Sequence, residues 1–196
     1  LSYETGQPTH CYDSMKLKEP VMLDVLDKET EFETLLDKKI NISEGDLVFS
    51  DKDNNVINLA GVVGGKNTEC NKDTKSVIVE CAYFNPEAII GKSLKYDIIS
   101  DAAYKFERNT DPNSHDKVLR RFINIVERHT QIKKVELFTK SFSEDKYKLI
   151  PIEVSKINKI LGTKTSEDEC LTYLDKLGFT FMEGKIKVPT HRNDIE

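Results

Sequence analysis

The sequence predicts an α+β fold in two parts. The first is a β-rich domain of mixed or antiparallel strands with helices, and the second is a small winged-helix-like domain of two helices and a hairpin. Short runs rich in β-branched residues, separated by Gly, Asn and Asp, fill residues 21–83. Apolar residues recur at helical spacing from Val118 onward. Two short apolar helices and a turn at Glu183-Gly184 follow Pro151.

Strands and helices of the first part follow from local patterns. Four segments are predicted strands: VMLDVL, DLVFSD, VINLAGVV and SVIVECAYF. Asn85-Pro86 is predicted to open a short helix, PEAIIGKSL. Asp111-Pro112 is predicted to open a longer helix, with Asp as the N-cap and Pro at the first helical position. The segment KKVELFTK, residues 133–140, is predicted to return to a strand.

The polar stretch 141–149, SFSEDKYKL, is the predicted linker. It places the two predicted domains at residues 1–145 and 146–196. Because the chain begins without Met and ends within a motif, we expect it to be a fragment of a longer protein, truncated at both ends.

The second part is predicted from helix signals. Ser155 is the expected cap of a helix that Gly162 ends, and Thr165 with Asp168 forms a capping-box-like start of a helix that ends at Gly178. Their apolar faces are expected to consist of six residues: Ile157, Ile160, Leu161, Leu171, Leu174 and Leu177.

The amino-acid composition argues against several classes of protein: membrane-spanning, zinc-binding, disulfide-stabilised and free-standing nucleic-acid-binding proteins. With 38% hydrophobic and 32% charged residues, the chain is expected to be soluble, and no apolar run approaches the roughly 18 residues of a membrane span. Four scattered cysteines without a C-x-x-C pair signal neither a zinc site nor a disulfide scaffold, so a reduced, cytoplasmic setting is expected. The net charge of −5 argues against a free-standing nucleic-acid binder. From Pro151 onward there are seven Lys/Arg and eight Asp/Glu, so neither part is basic.

The glycine-rich segment NLAGVVGGKNTEC resembles a phosphate loop but lacks its chemistry. Ala60 stands at the position of the first required glycine, and Asn67 follows Lys66 where a magnesium-binding hydroxyl is needed. Two interpretations remain. The segment is a glycine-rich strand end with a bulge, or Gly61 and Gly64 let the backbone approach a ligand closely.

Two polar residues stand out near this segment. Glu80 lies within an apolar strand, on the same face as Ile78 and Ala82. Either that face opens to solvent, or Glu80 meets a polar group of a partner or ligand. His10 is either a surface residue or part of a site. Because its neighbour Cys11 points away from it and no G-x-S-x-G motif is present, activated water is the expected nucleophile of any hydrolysis.

Five segments, in order and spacing, resemble the bacterial-type phenylalanyl-tRNA synthetase β subunit. They are GQPTHCYD, LAGVVGG, VIVECAYFNP, SDAAYKFERNTDP and PTHRNDIE. The family typically reads GQP-x-HAFD, AGVxGG, ECAxFxP, SDASxRFERGxDP and PS-aromatic-RxDIE. The resemblance implies that residues 1–145 are most of the editing domain, which comprises the fused third and fourth domains, and that the remainder is the fifth domain. Departures from the family pattern include Cys11 for alanine, Asn109 for glycine and His191 for an aromatic residue.

The resemblance implies a part of phenylalanine–tRNA ligase that hydrolyses mischarged Tyr-tRNA(Phe). An apolar pocket rejects the extra hydroxyl of tyrosine by only roughly a hundredfold, whereas a pocket that hydrogen-bonds it discriminates by roughly ten-thousandfold or more. By resemblance, Glu80 accepts the tyrosine hydroxyl proton, and His10 lies near the ester and the 3′-terminal ribose. The implied substrate-binding set is His10, Ala60, Gly61, Gly64, Glu80, Ser100 and Ala102, in which Ser100 and Ala102 form a wall of the pocket.

Partners and cofactors are implied in the same way. The parent enzyme would be a heterotetramer with the α subunit and would bind tRNA(Phe), with ATP as a substrate. Asp194 would bind Mg²⁺ there together with acidic residues beyond Glu196, and no cofactor is expected in the fragment itself. Two alternatives stay open: a structural, tRNA-contacting module without editing, and a stand-alone module that recognises aromatic amino acids.

Overall fold

The computed structural model describes residues 1–141, 147–182 and 184–195, and it divides into two units, Leu1–Gln131 and Ile132–Glu196. Every strand pair among the described residues is antiparallel, and helices accompany the sheets in both units. The predicted α+β class is therefore confirmed. Residues 142–146 of the predicted linker lie outside the described residues. No helix in the described part of the chain combines the length and the apolar character that crossing a membrane requires.

Eight short strands build the first unit. They are β1 (His10–Asp13), β2 (Met22–Val25), β3 (Thr30–Glu33), β4 (Lys39–Ile42), β5 (Leu47–Ser50), β6 (Val56–Leu59), β7 (Val63–Gly64) and β8 (Val77–Glu80). One sheet has the order β2-β5-β6-β7, while β1 pairs with β8 and β3 pairs with β4. The predicted strand segments contain β2, β5, β6 with β7, and β8; β1, β3 and β4 were not predicted.

Five helices complete the first unit: α1 (Ser2–Thr5), α2 (Pro86–Ile89), α3 (Lys92–Lys95), α4 (Asp101–Phe106) and α5 (His115–Glu127). Asn85 caps α2, as its Asn-Pro signal predicts. The predicted start of α5 at Asp111-Pro112 is wrong, because the Asp111 carboxylate accepts a hydrogen bond from the Asn113 backbone N–H at 3.0 Å. That local bond closes a turn, and the helix begins after Ser114.

The main core of the first unit lies between the four-stranded sheet and the helices. All four residues of β6 are buried, so this strand runs through the middle of the unit. Fully or nearly fully buried members of this core include Phe32, Ile42, Val48, Leu59, Phe84, Ile89 and Phe106. A second, smaller cluster under β1 consists of Tyr12, Leu17 and Ile57.

The second unit contains β9 (Leu149–Pro151), α6 (Val154–Leu161), α7 (Glu167–Lys176), β10 (Thr180–Met182) and β11 (Lys185–Lys187). Strands β10 and β11 form the predicted antiparallel hairpin, and β9 pairs with β11 as a third strand. Residue 183 of the predicted turn lies outside the described residues. A small core of Phe179, Ile186 and Val188 joins the strands to α7 through Leu174.

Both helix starts predicted for the second unit are displaced: α6 begins two residues earlier than predicted, and α7 begins one residue later. Helix α6 begins at Val154, and no side chain caps it, so Ser155 is not a cap. The capping box of α7 is formed by Ser166 and Glu169, not by Thr165 and Asp168. The physical reason is Asn158, whose amide binds both the N–H and the C=O of Thr165, at 2.9 and 2.8 Å, and thereby holds that residue in the loop.

Two further expectations fail: one concerns the apolar helix faces of the second unit, and the other concerns residues 133–140, which were predicted as a strand of the first part. Ile160, Leu161 and Leu177 are mostly exposed, so half of the predicted apolar helix faces stays outside the core. Residues 133–140 form no strand. These residues are rich in β-branched and aromatic side chains, but in the described part of the chain no other strand pairs with them. Without a neighbouring strand the backbone cannot form the inter-strand hydrogen bonds of a sheet.

Candidate functional site

The pairing of β1 with β8 builds the candidate site. In this antiparallel ladder His10 lies opposite Glu80, and Tyr12 lies opposite Ile78. Because directly opposed residues of a ladder share a face, and alternate residues of a strand do too, the side chains of His10, Tyr12 and Glu80 project to the same side. Tyr12 is diagonal to Glu80, a separation that an aromatic side chain can span.

His10 and Glu80 line a small cavity of about 60 Å³, and Tyr12 lies beside it without lining it. Five of the seven residues predicted to bind substrate lie on its wall: His10, Gly61, Gly64, Glu80 and Ala102. The remaining wall is largely apolar and includes Val62 and Phe106, with Asn58 as an additional polar residue. Strands β1, β6, β7 and β8, the turn between β6 and β7, and helix α4 therefore meet at one site.

Ala60 and Ser100, the other two predicted residues, are not among the residues that line this cavity. Ala60 is buried in the main core, where its backbone N–H donates to the Leu47 carbonyl at 3.0 Å. The Ser100 hydroxyl donates to the Val62 carbonyl at 2.6 Å and accepts from the Ala103 N–H at 3.1 Å. Ser100 thus caps α4 and ties that helix to the cavity wall.

The carboxyl group of Glu80 is buried and bound by the protein itself. The Tyr12 hydroxyl donates to Glu80 Oε2 at 2.5 Å, and Asn58 Nδ2 donates to the same oxygen at 3.3 Å. Asn58 Nδ2 also donates to the Tyr12 hydroxyl at 2.8 Å. Glu80 as a whole residue is partly exposed, and its polar neighbours come from two strands of the same chain, which neither interpretation of the sequence included.

Burial controls the ionisation of this group. It raises the pKa of Glu80 from 4.5 to about 7, with the hydrogen bond from Tyr12 acting in the opposite direction. Burial also raises the pKa of Tyr12, and the Glu80 charge adds to that effect, so Tyr12 stays protonated as a donor. A carboxyl group with a pKa near neutrality, inside a cavity, is a frequent property of functional sites.

Sequence reasoning did not identify Tyr12 or Asn58 as site residues. For Tyr12 a signal existed: the family motif GQP-x-HAFD has phenylalanine where this chain has tyrosine. For Asn58 the signal was a carboxamide side chain between Ile57 and Leu59 in an otherwise apolar strand, a position that the structure buries.

His10 is held against the floor of the cavity. Its ring contacts Tyr12 edge to face, with centroids 4.5 Å apart and planes at 75°. Burial lowers the pKa of His10 to about 4, so the imidazole is neutral at neutral pH. A Cβ at Gly64 would lie 2.3 Å from His10 Cε1 and 2.5 Å from Nε2. The absence of a side chain at Gly64 therefore makes room for the imidazole.

Gly61 has a different role. Its φ is +71°, and a Cβ there would lie 2.7 Å from Ile89 Cδ1 and 3.1 Å from Phe84 Cδ2. The glycine thus permits both the left-handed turn between β6 and β7 and the close packing of the main core. Both glycines accommodate close approaches, and the approaching groups are side chains of the protein itself.

The cavity offers no thiol nucleophile. Cys11 precedes Tyr12 on the other face of β1, and burial together with the nearby Cys70 raises the pKa of the Cys11 thiol to about 11. The groups that remain are a neutral imidazole, a buried carboxyl group and a fixed amide. Such groups can bind a polar ligand and orient a water molecule.

In the second unit, Asp194 forms a two-pronged ion pair with Arg192. The Arg192 Nε and a terminal nitrogen donate to the two carboxylate oxygens at 2.8 Å each, and these bonds lower the pKa of Asp194 to about 2. No cluster of three or more His, Cys, Asp or Glu side chains suited to a metal occurs among the described residues. A single carboxylate that is already paired with a guanidinium does not fit Mg²⁺, which needs several oxygen ligands.

Comparison with known proteins identifies both units. A family model described as "B3/4 domain" matches residues 1–131, and one described as "tRNA synthetase B5 domain" matches residues 150–196. The chain is 32% identical over 203 residues to the phenylalanine–tRNA ligase beta subunit of Protochlamydia amoebophila (strain UWE25), with 98% of the chain covered. It is 31% identical over 201 residues to the subunit of the same name from Fusobacterium nucleatum, with 100% covered.

The chain spans about a quarter of the length of these relatives, 25% in both cases. Among solved structures, an N-terminal fragment of the phenylalanyl-tRNA synthetase beta subunit from Pyrococcus horikoshii aligns with a TM-score of 0.47 and 16% identity, covering 96% of this chain and 55% of that one. The B3/4 match alone covers two-thirds of the sequence, and the chain belongs to the family of phenylalanine–tRNA ligase β subunits.

Proposed function

We propose that the first unit is an editing site, which hydrolyses Tyr-tRNA(Phe) formed in error by the ligase. The observation that carries this proposal is the cavity lined by Glu80, by His10 directly across the ladder from it, and by Gly64. The relatives are named as ligases of phenylalanine and tRNA, and tyrosine is the amino acid that differs from phenylalanine by a single hydroxyl.

Selectivity would come from Glu80. Phenylalanine in the cavity would leave polar groups around this carboxyl unpaired, whereas the tyrosine hydroxyl would hydrogen-bond to them. A site built to bind a hydroxyl can reject the analogue without it by roughly ten-thousandfold or more, because buried polar groups are costly to leave without a partner.

Hydrolysis would use water as the nucleophile. The oxygen of a water molecule attacks the ester carbonyl carbon, the bond to the tRNA 3′-terminal ribose oxygen breaks, and that oxygen takes up a proton as tyrosine is released. The neutral imidazole of His10 orients the water or the ester, since a pKa of about 4 makes it a weak base.

The cavity also limits how substrate binds. Its volume of about 60 Å³ is below the ~300 Å³ of typical small-molecule sites, so an aromatic amino acid enters only as lining side chains rearrange. The small volume, and the Tyr12 hydroxyl already bound to Glu80, favour a second candidate function. In that alternative the unit is a structural, tRNA-contacting module without editing activity.

The resemblance and the family membership support the remaining proposals for the whole ligase. It would act in the cytoplasm together with the α subunit and tRNA(Phe), and it would use ATP and Mg²⁺ for aminoacylation. In the described part of this chain no residue set that suits Mg²⁺ is formed, so the ion would need ligands from elsewhere.

The test is deacylation of preformed Tyr-tRNA(Phe) and Phe-tRNA(Phe) by the assembled ligase. With the native subunit we expect Tyr-tRNA to be hydrolysed preferentially, and Glu80→Ala should erode that preference. Glu33→Ala is the matched control, because Glu33 is an exposed carboxylate on β3. If Tyr-tRNA persists with the native ligase, the editing proposal is wrong and the structural alternative holds.

A further inference from the structure

We propose that Asn58 is a second residue that recognises the ring hydroxyl: its amide oxygen accepts a hydrogen bond from the hydroxyl of the bound aromatic amino acid. This inference rests on the proposed function and deepens it, since it adds a specificity-determining residue to the site around Glu80. Three features of Asn58 support it: its burial, the orientation of its amide and the missing partner of its amide oxygen.

Burial places Asn58 where only the protein or a ligand can reach it. The residue is 4% exposed, lies on the fully buried strand β6 and lines the cavity together with Glu80. In the ladder it lies opposite Gly64, the glycine that leaves room for His10. Asn58 thus belongs to the same cavity wall as the carboxyl group and the glycine that accommodates the imidazole.

The orientation of the amide is fixed by chemistry. Nδ2 donates to the Tyr12 hydroxyl at 2.8 Å and to Glu80 Oε2 at 3.3 Å. The opposite orientation would place the amide oxygen against the carboxylate oxygen and leave two acceptors facing each other. The N–H groups consequently point toward Tyr12 and Glu80, and Oδ1 points away from them.

Asn58 Oδ1 has no hydrogen-bond partner among the described residues, although it is buried. Buried polar atoms in folded proteins are almost always paired, so an unpaired acceptor on a residue that lines a cavity calls for a donor that a ligand brings once the lining side chains have rearranged. The donor must be small enough for the cavity and must carry O–H or N–H, as a phenolic hydroxyl does. Phenylalanine offers no such donor.

Asn58 also provides an acceptor for the substrate hydroxyl at a site where Glu80 is already hydrogen-bonded to Tyr12. A phenol can donate a single proton, and Glu80 Oε2 already receives hydrogen bonds from both Tyr12 and Asn58. The substrate hydroxyl can donate its proton to Asn58 Oδ1 while its oxygen remains free to accept from a protonated Glu80. Both polar groups are then satisfied by tyrosine, and both lose a partner with phenylalanine.

The experiment measures binding of L-tyrosinamide and L-phenylalaninamide to the 196-residue chain by NMR titration. We expect the native chain to favour the tyrosine amide. Asn58→Leu, which has a similar shape and no acceptor, should weaken binding of the tyrosine amide by about tenfold and leave the phenylalanine amide unchanged. Asn58→Ala is the second variant, in case the leucine side chain does not fit, and the thermal unfolding temperature checks that each variant folds.

A Glu80→Gln background separates a direct role from an indirect one. If Asn58 acts only by holding Glu80, Asn58→Leu will have no further effect on the preference for tyrosine in that background, and the proposal is overturned. If Asn58 itself accepts the hydroxyl proton, the loss of about tenfold persists there.

The remaining outcomes distinguish this inference from the proposed function. Equal binding of both amides by the native chain, or a tyrosine preference that survives both Asn58 variants, overturns the role of Asn58. If the preference requires Asn58 but the assembled ligase does not hydrolyse Tyr-tRNA(Phe), this inference stands and the editing proposal fails.

Discussion

At the scale of single residues, the chemistry of the site depends on a buried carboxyl group bound by two side chains that sequence reasoning did not select. Tyr12 comes from β1, Asn58 from β6 and Glu80 from β8, so three strands meet in one hydrogen-bonded group. Burial keeps the pKa of Glu80 near neutrality, and it keeps His10 uncharged. Each of these properties can be measured.

We expect the pH dependence of stability to reveal the buried carboxyl group. The pKa of Glu80 is 4.5 when unfolded and about 7 when folded, so between these values the folded chain holds a proton that the unfolded chain has lost. Relative to Glu80→Gln, the native chain should lose about 1.4 kcal/mol of unfolding free energy per pH unit across this interval. Urea unfolding at pH 5 and pH 7 measures it, and a pH-independent difference would contradict it.

Tyr12→Phe should raise the pKa of Glu80 above about 7, because the hydrogen bond from Tyr12 favours the ionised carboxylate and burial then acts without opposition. NMR titration of the carbon-13-labelled Glu80 carboxyl group measures the change. Tyr104→Phe is the control, since Tyr104 is 58% exposed and lies on α4 away from this carboxyl group. An unchanged or lower pKa in Tyr12→Phe would show that the hydrogen bond does not control ionisation.

Gly64→Ala should displace the imidazole of His10, because the new Cβ would lie 2.3 Å from His10 Cε1. We expect a loss of roughly 1–3 kcal/mol in unfolding free energy from overpacking, and a lower rate of Tyr-tRNA deacylation. In a His10→Ala background the same substitution should cost less, since the clashing ring is gone. Equal costs in the two backgrounds would mean that the ring does not occupy this space.

At the scale of secondary-structure elements, sequence patterns predicted correctly those strands and turns that depend on interactions within a few residues. Strands with β-branched residues, the hairpin of β10 and β11, and the Asn-Pro start of α2 are correct because propensity and turn chemistry act within a few residues. Two helix starts were wrong because a side chain made a different local bond: Asp111, the expected cap of α5, closes a turn with Asn113, and Asn158 holds Thr165, the expected cap of α7, in the loop. The strand predicted at residues 133–140 does not form, because a β-strand needs a neighbouring strand to pair with as well as a suitable residue pattern.

The candidate site also depends on a contact between distant parts of the sequence, which local sequence patterns do not predict. Pairing of β1 with β8 joins residues about 70 positions apart, as in the bond between Tyr12 and Glu80 with a separation of 68, and no local pattern encodes that register. The family motifs selected His10 and Glu80, which the structure brings together. They did not select Asn58, whose role follows only from the hydrogen bonds that the fold creates.

The Ser100 hydroxyl connects helix α4 to the turn between β6 and β7, so removing this hydroxyl tests how α4 is held at the site. Ser100→Ala removes the N-cap of α4 and the bond to the Val62 carbonyl, which should lower the unfolding free energy by about 1–2 kcal/mol. Ser155→Ala is the matched control: it removes an exposed hydroxyl that caps nothing and should change stability by less than about 0.5 kcal/mol. Equal effects of the two substitutions would contradict the capping role.

At the scale of the whole molecule, a B3/4 domain precedes a B5 domain in a chain of net charge −5. Positive charge is needed to hold the phosphates of tRNA, and it is not in excess in either part of this sequence. We therefore expect other parts of the ligase to bind the body of the tRNA and to present its aminoacylated 3′ end to the cavity. Editing is for that reason best measured in the assembled ligase.

In the proposed function, the cavity at Glu80 recognises tyrosine and the site hydrolyses it from tRNA(Phe). The most direct measurement is the ratio of the deacylation rates of Tyr-tRNA(Phe) and Phe-tRNA(Phe) by the unaltered ligase, with spontaneous hydrolysis of each ester subtracted. We expect a ratio well above one, of the order of ten-thousandfold for a site that hydrogen-bonds the hydroxyl. A ratio of one, or no hydrolysis above the spontaneous rate, would contradict it.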